Sequence, residues 1–246
     1  MSTKTVTLIT GGNKGIGFAI ARQLGALEHT VWIGCRDHGR GEKAAAQLRV
    51  EGIDARSIVI DVTSDASVCA AAARFGEASK VLDVLVNNAG ISLGAFPPAS
   101  EERIEDIRAM FDVNAFGPLR VTQAFLPLLR KSNASRIVMM SSGLGSLDAT
   151  VDIANYVWNV GAAGYCASKS ALNMFTIKLA KELLAEGVKV NAADPGYTAT
   201  DLNHHTGPRS VDEAAVIAVR LATLGPLGPT GGFFHDGHAN ESRHPW

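Results

Sequence analysis

The sequence predicts a doubly wound α/β fold, in which a parallel β-sheet is covered by helices on both faces. Three observations favour it: apolar runs rich in β-branched residues recur along the chain, amphipathic segments separate them, and a glycine-rich turn follows the first run. Nearly continuous apolar strands are typical of sheets buried on both faces, and alternation with helices makes such strands parallel. Because no linker, composition break or internal repeat interrupts the sequence, we expect one domain over residues 1–246.

Seven apolar runs are predicted to form the strands of this sheet, and they cover residues 4–10, 30–35, 55–61, 82–90, 135–142, 188–196 and 231–237. Six segments with helical periodicity lie between them, at residues 16–27, 41–50, 64–78, 101–129, 165–185 and 211–224. A helix therefore follows every strand but the last, which is the order of repeated βα units.

The composition is that of an ordinary globular protein, with 46% hydrophobic and 19% charged residues. A formal net charge of −1 favours neither a nucleic-acid nor a membrane surface, and no apolar run approaches the ~18–20 residues of a membrane span. The three cysteines lack the spacing of a metal site, and the tract HDGHANESRH at 235–244 implies no ligand geometry. We therefore expect a cytoplasmic protein with reduced thiols, no metal, and no nucleic-acid or membrane partner.

The segment TGGNKGIG, residues 10–17, separates the first predicted strand from the first predicted helix. Its glycines, Gly11, Gly15 and Gly17, permit a tight turn, a close approach of backbone to phosphate, and close packing of the helix. The helix N-terminus that follows presents N–H groups and a positive dipole end to an anion. In a Rossmann-like sheet this turn lies at the dinucleotide site, so the sequence predicts a bound pyrophosphate here.

The end of the second strand indicates which dinucleotide binds. Proteins specific for NAD place Asp or Glu at this end, where the carboxylate accepts from the adenosine ribose hydroxyls. Here Cys35 stands at the end and Arg36 follows, while Lys14 projects from the glycine loop. Two cations suit a 2′-phosphate, which predicts NADP(H). The alternative is that Asp37 binds the ribose and that Arg36 and Lys14 are solvated surface charges, as in an NAD-dependent protein.

Seven motifs in one order extend the pattern along the chain. They are TGGNKGIG, DV at 61–62, NNAG at 87–90, FDVNAFG around Asn114, SS at 141–142, YCASK at 165–169 and PGYTAT at 195–200. In these motifs the sequence resembles the short-chain dehydrogenase/reductase family over nearly its whole length, to about residue 237. Within that family it is most similar to the NADP-dependent carbonyl reductases. Longer epimerases and dehydratases of the superfamily carry an additional substrate domain, for which 246 residues leave no room.

The resemblance implies four catalytic residues. Tyr165 is the general acid that protonates the carbonyl oxygen, and Lys169, one helical turn later, is expected to lower the pKa of the phenol and to bind the nicotinamide ribose. Ser142 is expected to hydrogen-bond the substrate oxygen, with Ser141 as the competing candidate. Asn114, in the middle of a predicted helix, is expected to anchor a water that links Lys169 to solvent.

The resemblance also implies the contacts of the cofactor. Asp61 and Val62 are expected at the adenine, and residues 88–90 around the adenosine ribose and pyrophosphate. Thr198 is expected at the carboxamide through its backbone and Thr200 near a phosphate. The predicted cofactor-binding residues are Gly11, Asn13, Lys14, Gly15, Ile16, Gly17, Arg36, Asp61, Val62, Asn88, Ala89, Gly90, Tyr165, Lys169, Pro195, Gly196, Thr198 and Thr200.

Two segments, about 143–163 and 201–212, are predicted to line the substrate pocket. The first is long for this family and is alternatively a surface excursion or a subunit contact, whereas the second is short and predicts an open pocket. The expected reaction is hydride transfer between NADP(H) and a small-molecule ketone, aldehyde or secondary alcohol. The alternatives are a non-catalytic sensor of NADP(H) and an NAD-dependent alcohol dehydrogenase. Family members pair through their long helices, so a homodimer or homotetramer is expected, with a monomer as the alternative.

Overall fold

The computed structural model describes residues 4–94, 97–236 and 243–246 and shows the predicted parallel sheet. The strand order is β3-β2-β1-β4-β5-β6-β7, and every neighbouring pair is parallel. Each predicted strand is confirmed, although most end earlier than predicted, because the chain leaves the ladder at the polar, glycine or proline residues that close the predicted segments. The strands are β1 (Val6–Thr10), β2 (Thr30–Cys35), β3 (Ala55–Val59), β4 (Val84–Asn87), β5 (Arg136–Met140), β6 (Lys189–Ala193) and β7 (Phe233–Phe234).

Eight α-helices connect the strands in the described residues. They are α1 (Gly15–Ala26), α2 (His38–Val50), α3 (Asp65–Ala78), α4 (Ile104–Phe111), α5 (Gly117–Leu129), α6 (Leu147–Val151), α7 (Ala163–Glu182) and α8 (Val211–Ala222). Helix α2 begins earlier than the apolar pattern predicts because the Asp37 carboxylate caps it, accepting from the Arg40 N–H at 2.7 Å. The prediction of one helix over 101–129 is wrong, since a π-helical turn at Asp112–Phe116 separates α4 from α5.

Apolar clusters cover both faces of the sheet. One joins α1, α2 and α8 to the strands, and the other joins α3, α5 and α7. In the second cluster the Phe75 ring lies between Trp32 and Phe125, with centroid distances of 4.8 Å and 5.6 Å. Within the described ranges, no helix has both the length and the apolar character needed to cross a membrane.

The direction of winding reverses at β1, whose two neighbours are β2 and β4. In open α/β sheets this reversal opens a crevice at the carboxyl ends of the strands, because the connections on either side go to opposite faces. The turns that follow β1, β4, β5 and β6 all emerge at this edge. These four turns carry most of the predicted site residues.

Close packing at Gly17 gives a first testable prediction. A Cβ atom there would lie 2.4 Å from Asn88 Nδ2 and 2.6 Å from the Gly11 carbonyl, whereas a Cβ at Gly76 in α3 would meet only Leu128 Cδ2, at 3.7 Å. We expect Gly17→Ala to lower the free energy of unfolding by about 1–3 kcal/mol. The matched control Gly76→Ala is expected to leave it unchanged or to raise it by up to about 1 kcal/mol. Urea unfolding followed by circular dichroism measures both, and equal effects would contradict the prediction.

Candidate active site

The glycine loop is tied to the end of β4 by hydrogen bonds. Gly11 adopts a φ of +63° and Gly15 a φ of +56°, which glycine tolerates without strain. The Thr10 hydroxyl accepts from the N–H groups of Asn88 and Ala89 at 3.0 Å and 3.1 Å. The Asn88 amide donates to the Thr10 and Gly11 carbonyls at 3.0 Å and 3.2 Å. Thr10 was not predicted as a site residue, and its only sequence signal is a hydroxyl at the junction of β1 with the loop.

The start of α1 has the features of a phosphate cradle. Helix α1 begins at Gly15, and the side chain of its N-cap residue, Lys14, does not cap it. Thr200 faces this turn, with its Cγ2 atom 4.0 Å from the position that a Gly15 Cβ would occupy. Asn13 is half-buried in the loop, and Ile16 packs against the apolar cluster beneath it. The residues present can therefore hold an anionic pyrophosphate between the helix terminus and the loop after β6.

The two cations predicted at a 2′-phosphate have different surroundings. Arg36 is exposed just beyond β2, and its charge acts on the Asp61 carboxylate. The Lys14 ammonium pairs with Asp201, which also contacts His205 Nε2 at 2.9 Å. The predicted convergence of Lys14 with Arg36 therefore requires Lys14 to leave its ion pair. Exposed pairs of this kind contribute little to stability, so such an exchange of partner is cheap.

Asp61 and Val62 lie at the rim beyond β3. The Asp61 carboxylate accepts from the Thr63 N–H at 3.0 Å and from the Thr63 hydroxyl at 2.8 Å. These bonds, with a smaller effect of Arg36, hold the pKa of Asp61 below its usual value. The Val62 side chain is buried, 3.0 Å from the position that a Gly117 Cβ would occupy. Asp61 is thus fixed as an anion, and Val62 forms part of the floor of this rim.

Tyr165 and Lys169 lie together near the start of α7. The Lys169 Nζ atom is 5.7 Å from the centre of the Tyr165 ring and donates to the Met140 carbonyl at 2.8 Å. Lys169 is only 4% exposed, and burial lowers its pKa to about 8 although the Asp194 charge opposes this shift. The proximity of Tyr165 and Lys169 agrees with their spacing of four residues on one helix.

The pKa of Tyr165 lies above its ordinary value in this structure, and the lowering expected from Lys169 and from an oxidised nicotinamide stays a prediction. Burial raises the pKa of the phenol, and the negative charge of Asp194 adds to that effect, whereas the nearby Ser142 hydroxyl lowers it. The physical reason is that a low-dielectric site disfavours both the phenolate and the ammonium, so the cation that was expected to stabilise phenolate is itself penalised.

The two serines after β5 have different roles. The Ser141 hydroxyl is buried and donates to Asn173 Oδ1 at 2.6 Å, which binds it into the protein interior. The Ser142 hydroxyl accepts from the Leu144 N–H at 3.3 Å and lies near enough to the Tyr165 phenol to lower its pKa. This arrangement favours Ser142 over Ser141 as the hydroxyl at the reaction site.

Asn114 lies in the π-helical turn and is fully buried. Its amide donates to the Ile91 carbonyl at 2.8 Å and to the Ser168 hydroxyl at 3.1 Å, and its Oδ1 accepts from the Ile91 N–H at 2.8 Å. A Cβ atom at Gly90 would lie 3.4 Å from Asn114 Oδ1 and 3.7 Å from Lys169 Nζ. Asn114 and Lys169 therefore border the same small space beside Gly90, and the predicted water link stays a prediction.

The loop after β6 is held by its own polar groups. Gly196 has a φ of +70°, and the Thr198 hydroxyl donates to the carbonyls of Pro195 and Gly196 at 3.2 Å and 3.1 Å. The Asn203 side chain accepts from the Thr200 N–H at 3.1 Å and donates to the Thr198 carbonyl at 2.8 Å. Asn203 was not predicted, because its partners are set by the fold of the loop.

Asp194, directly before this loop, was also not predicted. It is 6% exposed, and its charge acts on both Tyr165 and Lys169. The only signal in the sequence is an acidic residue directly after β6 and before the Pro-Gly turn.

The segment 143–163 forms two short 3₁₀ turns, Gly143–Gly145 and Tyr156–Asn159, with α6 between them. Gly143, Ala149 and Val157 line a cavity of about 220 Å³. Four large apolar side chains of this segment are exposed, Leu147, Val151, Ile153 and Trp158, and Asp148, Asp152 and Asn159 are exposed beside them. Both interpretations, pocket wall and contact surface, therefore stay open.

The histidine tract at 235–244 lies partly outside the described residues, which lack 237–242. Among those that are described, no group of three or more His, Cys, Asp or Glu side chains is placed to hold a metal ion.

This chain is similar to known proteins in both sequence and structure. A family model described as short chain dehydrogenase matches residues 5–210. Short-chain dehydrogenase anuI of Penicillium roqueforti is 38% identical over 231 residues, covering 91% of this chain and 90% of that protein. (−)-Isopiperitenone reductase of Mentha piperita is 33% identical, covering 92% and 95%. The crystal structure of NADPH-bound carbonyl reductase from chicken fatty liver superimposes with a TM-score of 0.82 at 30% identity, covering 95% and 97%.

The parallel sheet, with its glycine loop at the reversal of winding, defines an α/β protein of the Rossmann-like dehydrogenase class. The match along most of the chain shows more specifically that the protein belongs to the short-chain dehydrogenase/reductase family of oxidoreductases. The family predicted from the seven motifs is therefore confirmed.

The raised pKa of Tyr165 gives a second testable prediction. Because burial disfavours the phenolate, we expect Tyr165 to stay mostly protonated at pH 10, where an ordinary tyrosine, with a pKa of about 10, is half ionised. The difference in phenolate absorbance between the cofactor-free wild type and Tyr165→Phe measures this group alone. Tyr197→Phe, which removes an exposed phenol, controls for the loss of one tyrosine. A difference titration with a midpoint below pH 10 would contradict the expected shift.

Proposed function

We propose that the protein is an NADP(H)-dependent oxidoreductase that reduces a ketone or aldehyde, or oxidises the corresponding secondary alcohol. The observation that carries this proposal is the position of the Tyr165 phenol beside the buried Lys169 and near the Ser142 hydroxyl. These groups lie at the same edge of the sheet as the glycine loop. The name of the Mentha reductase and the bound NADPH of the chicken carbonyl reductase support the same class of reaction.

Each of the three side chains has a chemical role in carbonyl reduction. Nicotinamide cofactors supply or accept the hydride of such reactions. Tyr165 is protonated at neutral pH, so its phenol has a proton to give to the carbonyl oxygen. The Ser142 hydroxyl donates to the same oxygen and stabilises the negative charge that develops there. Lys169, with a pKa of about 8, is mostly an ammonium at neutral pH and stabilises the phenolate that remains.

The surroundings of Asp37 support NADP(H) over NAD. One of its carboxylate oxygens caps α2, which leaves the side chain less suited to accept from both ribose hydroxyls. Arg36 is exposed at the adjacent position and suits a 2′-phosphate. The residues proposed to hold the cofactor are those at the glycine loop, at Asn88–Gly90 and in the 195–200 loop. The NAD-dependent alcohol dehydrogenase is the alternative if Arg36 does not bind a phosphate.

The substrate is proposed to be a small molecule bound between residues 143–163 and 201–212. Aldehydes, ketones and quinones fit an open pocket with a single acid and no built carboxylate clamp. Arg209 of the second segment pairs with Asp236, so its charge is already partnered. A cytoplasmic location and a homodimer or homotetramer remain predictions of the sequence.

A third prediction tests the choice of cofactor. In wild type we expect NADPH to bind at least tenfold more tightly than NADH, a difference of about 1.4 kcal/mol. Arg36→Ala should remove this preference because it removes the charge-assisted bond to the 2′-phosphate. Calorimetric titration with both cofactors measures the ratio.

The control for this test is Arg130→Ala, because Arg130 pairs with Glu186 at the opposite end of α5 from the site and should leave the ratio unchanged. Equal binding of the two cofactors by wild type would favour the NAD-dependent alternative.

A fourth prediction tests the proposed acid. Tyr165→Phe keeps the ring and removes the proton donor, so turnover should fall by about 10²–10⁴-fold. Calorimetry should show that NADPH affinity changes little. Full turnover by the variant would remove Tyr165 from the reaction. A wild type that binds NADPH but turns over no aldehyde, ketone or quinone would favour the non-catalytic sensor.

A further inference from the structure

The Asp194 carboxylate joins three segments at the carboxyl ends of β5 and β6. Asp194 directly follows Ala193, which is the register partner of Met140, and the Met140 carbonyl accepts from Lys169 Nζ at 2.8 Å. The strand pairing therefore places Asp194 close to the end of the Lys169 side chain, which lies beside the Tyr165 ring.

The Asp194 Oδ1 atom accepts from the Gly196 N–H at 2.9 Å, which fixes the turn into the 195–200 loop. Its Oδ2 contacts His244 Nε2 at 2.8 Å. The Gly143 backbone lies near enough to lower the pKa of this carboxyl, which places the segment that follows Ser142 beside it. One buried carboxylate thus orders the loop after β6, the segment after β5 and the chain near residue 244.

The segment 243–246 is docked so that it presents His244 to Asp194. Arg243 pairs with Phe234 in an antiparallel bridge, and the His244 N–H donates to the Phe233 carbonyl at 2.8 Å. The Trp246 ring stacks on Phe233 with centroids 5.7 Å apart. The Trp246 carbonyl accepts from the Asp148 N–H at 3.2 Å, which connects this segment to α6. The position of His244 therefore depends on long-range contacts on both sides.

Asp194 is an anion at neutral pH. Burial raises the pKa of its carboxyl, but the hydrogen bonds with His244 and Gly196, with a smaller effect of the Gly143 backbone, outweigh burial and hold the pKa below its usual value. Because an ionised carboxylate only accepts, His244 Nε2 must carry the proton and donate it. The negative charge raises the pKa of Tyr165 and that of Lys169.

We propose that Asp194, oriented by His244, is a positioning residue whose charge keeps the proton on Tyr165 and keeps Lys169 an ammonium before substrate reacts. This inference rests on the proposed function, since it assigns Tyr165 as the acid. It adds a carboxylate and an imidazole from two distant parts of the chain to the four residues predicted from motifs. Neither side chain is proposed to contact the reacting atoms.

Other charged groups face this pair in the described residues. The His235 ring lies 4.3 Å from the His244 ring, and the charge of Arg209 acts on Asp194 while pairing with Asp236. Asp148 and Asp152 line the same cavity as His244. The test therefore changes the two proposed residues alone and leaves these neighbours in place.

The charge of Asp194 has an effect of definite sign. Asp194→Asn keeps the shape and removes the negative charge, so the pKa of Tyr165 and that of Lys169 should both fall. In the reductive direction activity ends when Tyr165 loses its proton, and the alkaline limb of the pH profile should therefore move to lower pH. A role limited to folding would lower the rate without moving that limb.

The first measurement uses the cofactor-free protein. Two difference titrations of phenolate absorbance isolate Tyr165. In the first, wild type is compared with Tyr165→Phe. In the second, Asp194→Asn is compared with the double variant Asp194→Asn/Tyr165→Phe. We expect the Tyr165 midpoint to move to lower pH in the Asp194→Asn background. An unmoved midpoint in a variant with wild-type circular dichroism would overturn the inference.

The second measurement is kcat against pH, with NADPH and 9,10-phenanthrenequinone as the probe substrate. His244→Phe keeps a ring without the donor and should lower kcat by on the order of tenfold, because Asp194 loses its orienting bond. His244→Gln places an amide N–H near the Nε2 position and should restore kcat. Equal losses of kcat in His244→Phe and His244→Gln would contradict the role of His244. If Asp194→Asn does not fold, the comparison of these two His244 variants tests the inference.

The two proposals fail in different ways. A wild type without turnover of the quinone, or a fully active Tyr165→Phe, contradicts the proposed function. A wild type whose turnover depends on Tyr165, combined with an unmoved titration in Asp194→Asn, contradicts only the role of Asp194.

Discussion

The parallel pairing of β1 with β4, and of β4 with β5 and β6, is the constraint on which the site depends. Parallel strands bring their carboxyl ends to one edge, so the residues that follow each strand become neighbours although they are far apart in sequence. Asn88 after β4 binds the glycine loop after β1, Ser142 follows β5, and Asp194 follows β6. A break in this ladder would separate the proposed acid from the loop proposed to hold the cofactor.

The second constraint is the cost of burying charged groups, and the site contains two buried groups of opposite charge. Lys169 and Asp194 are both nearly inaccessible, and an isolated charge in such a place is costly. Each is hydrogen-bonded, Lys169 to the Met140 carbonyl and Asp194 to His244 and Gly196, and the charge of Asp194 favours the Lys169 ammonium. Tyr165 stays neutral beside Lys169, which is the state that an acid needs before the reaction.

The sequence predicted the strands and most helices because strands buried on both faces are nearly continuous apolar runs, whereas the apolar positions of helices recur with a period near 3.6. It failed between α4 and α5, where a π-helical turn continues the same apolar pattern with a different hydrogen-bond step. That turn places Asn114 inside the protein, where its amide binds Ile91 and Ser168. The start of α2 was also missed, because a cap at Asp37 leaves no mark on apolar periodicity.

By itself the sequence determined the class of fold, the family and the positions of Ser142, Tyr165 and Lys169, because these follow from local spacing and from motifs in a fixed order. Only the tertiary structure decided the direction of the Tyr165 pKa shift, the pairing of Lys14 with Asp201, and the contact of Asp194 with His244. Spacing fixes which residues share a helix face. The burial of a side chain, and its contacts with residues 50 or more positions away, depend on how the helices and strands pack. Burial and these contacts set the pKa values of the site residues.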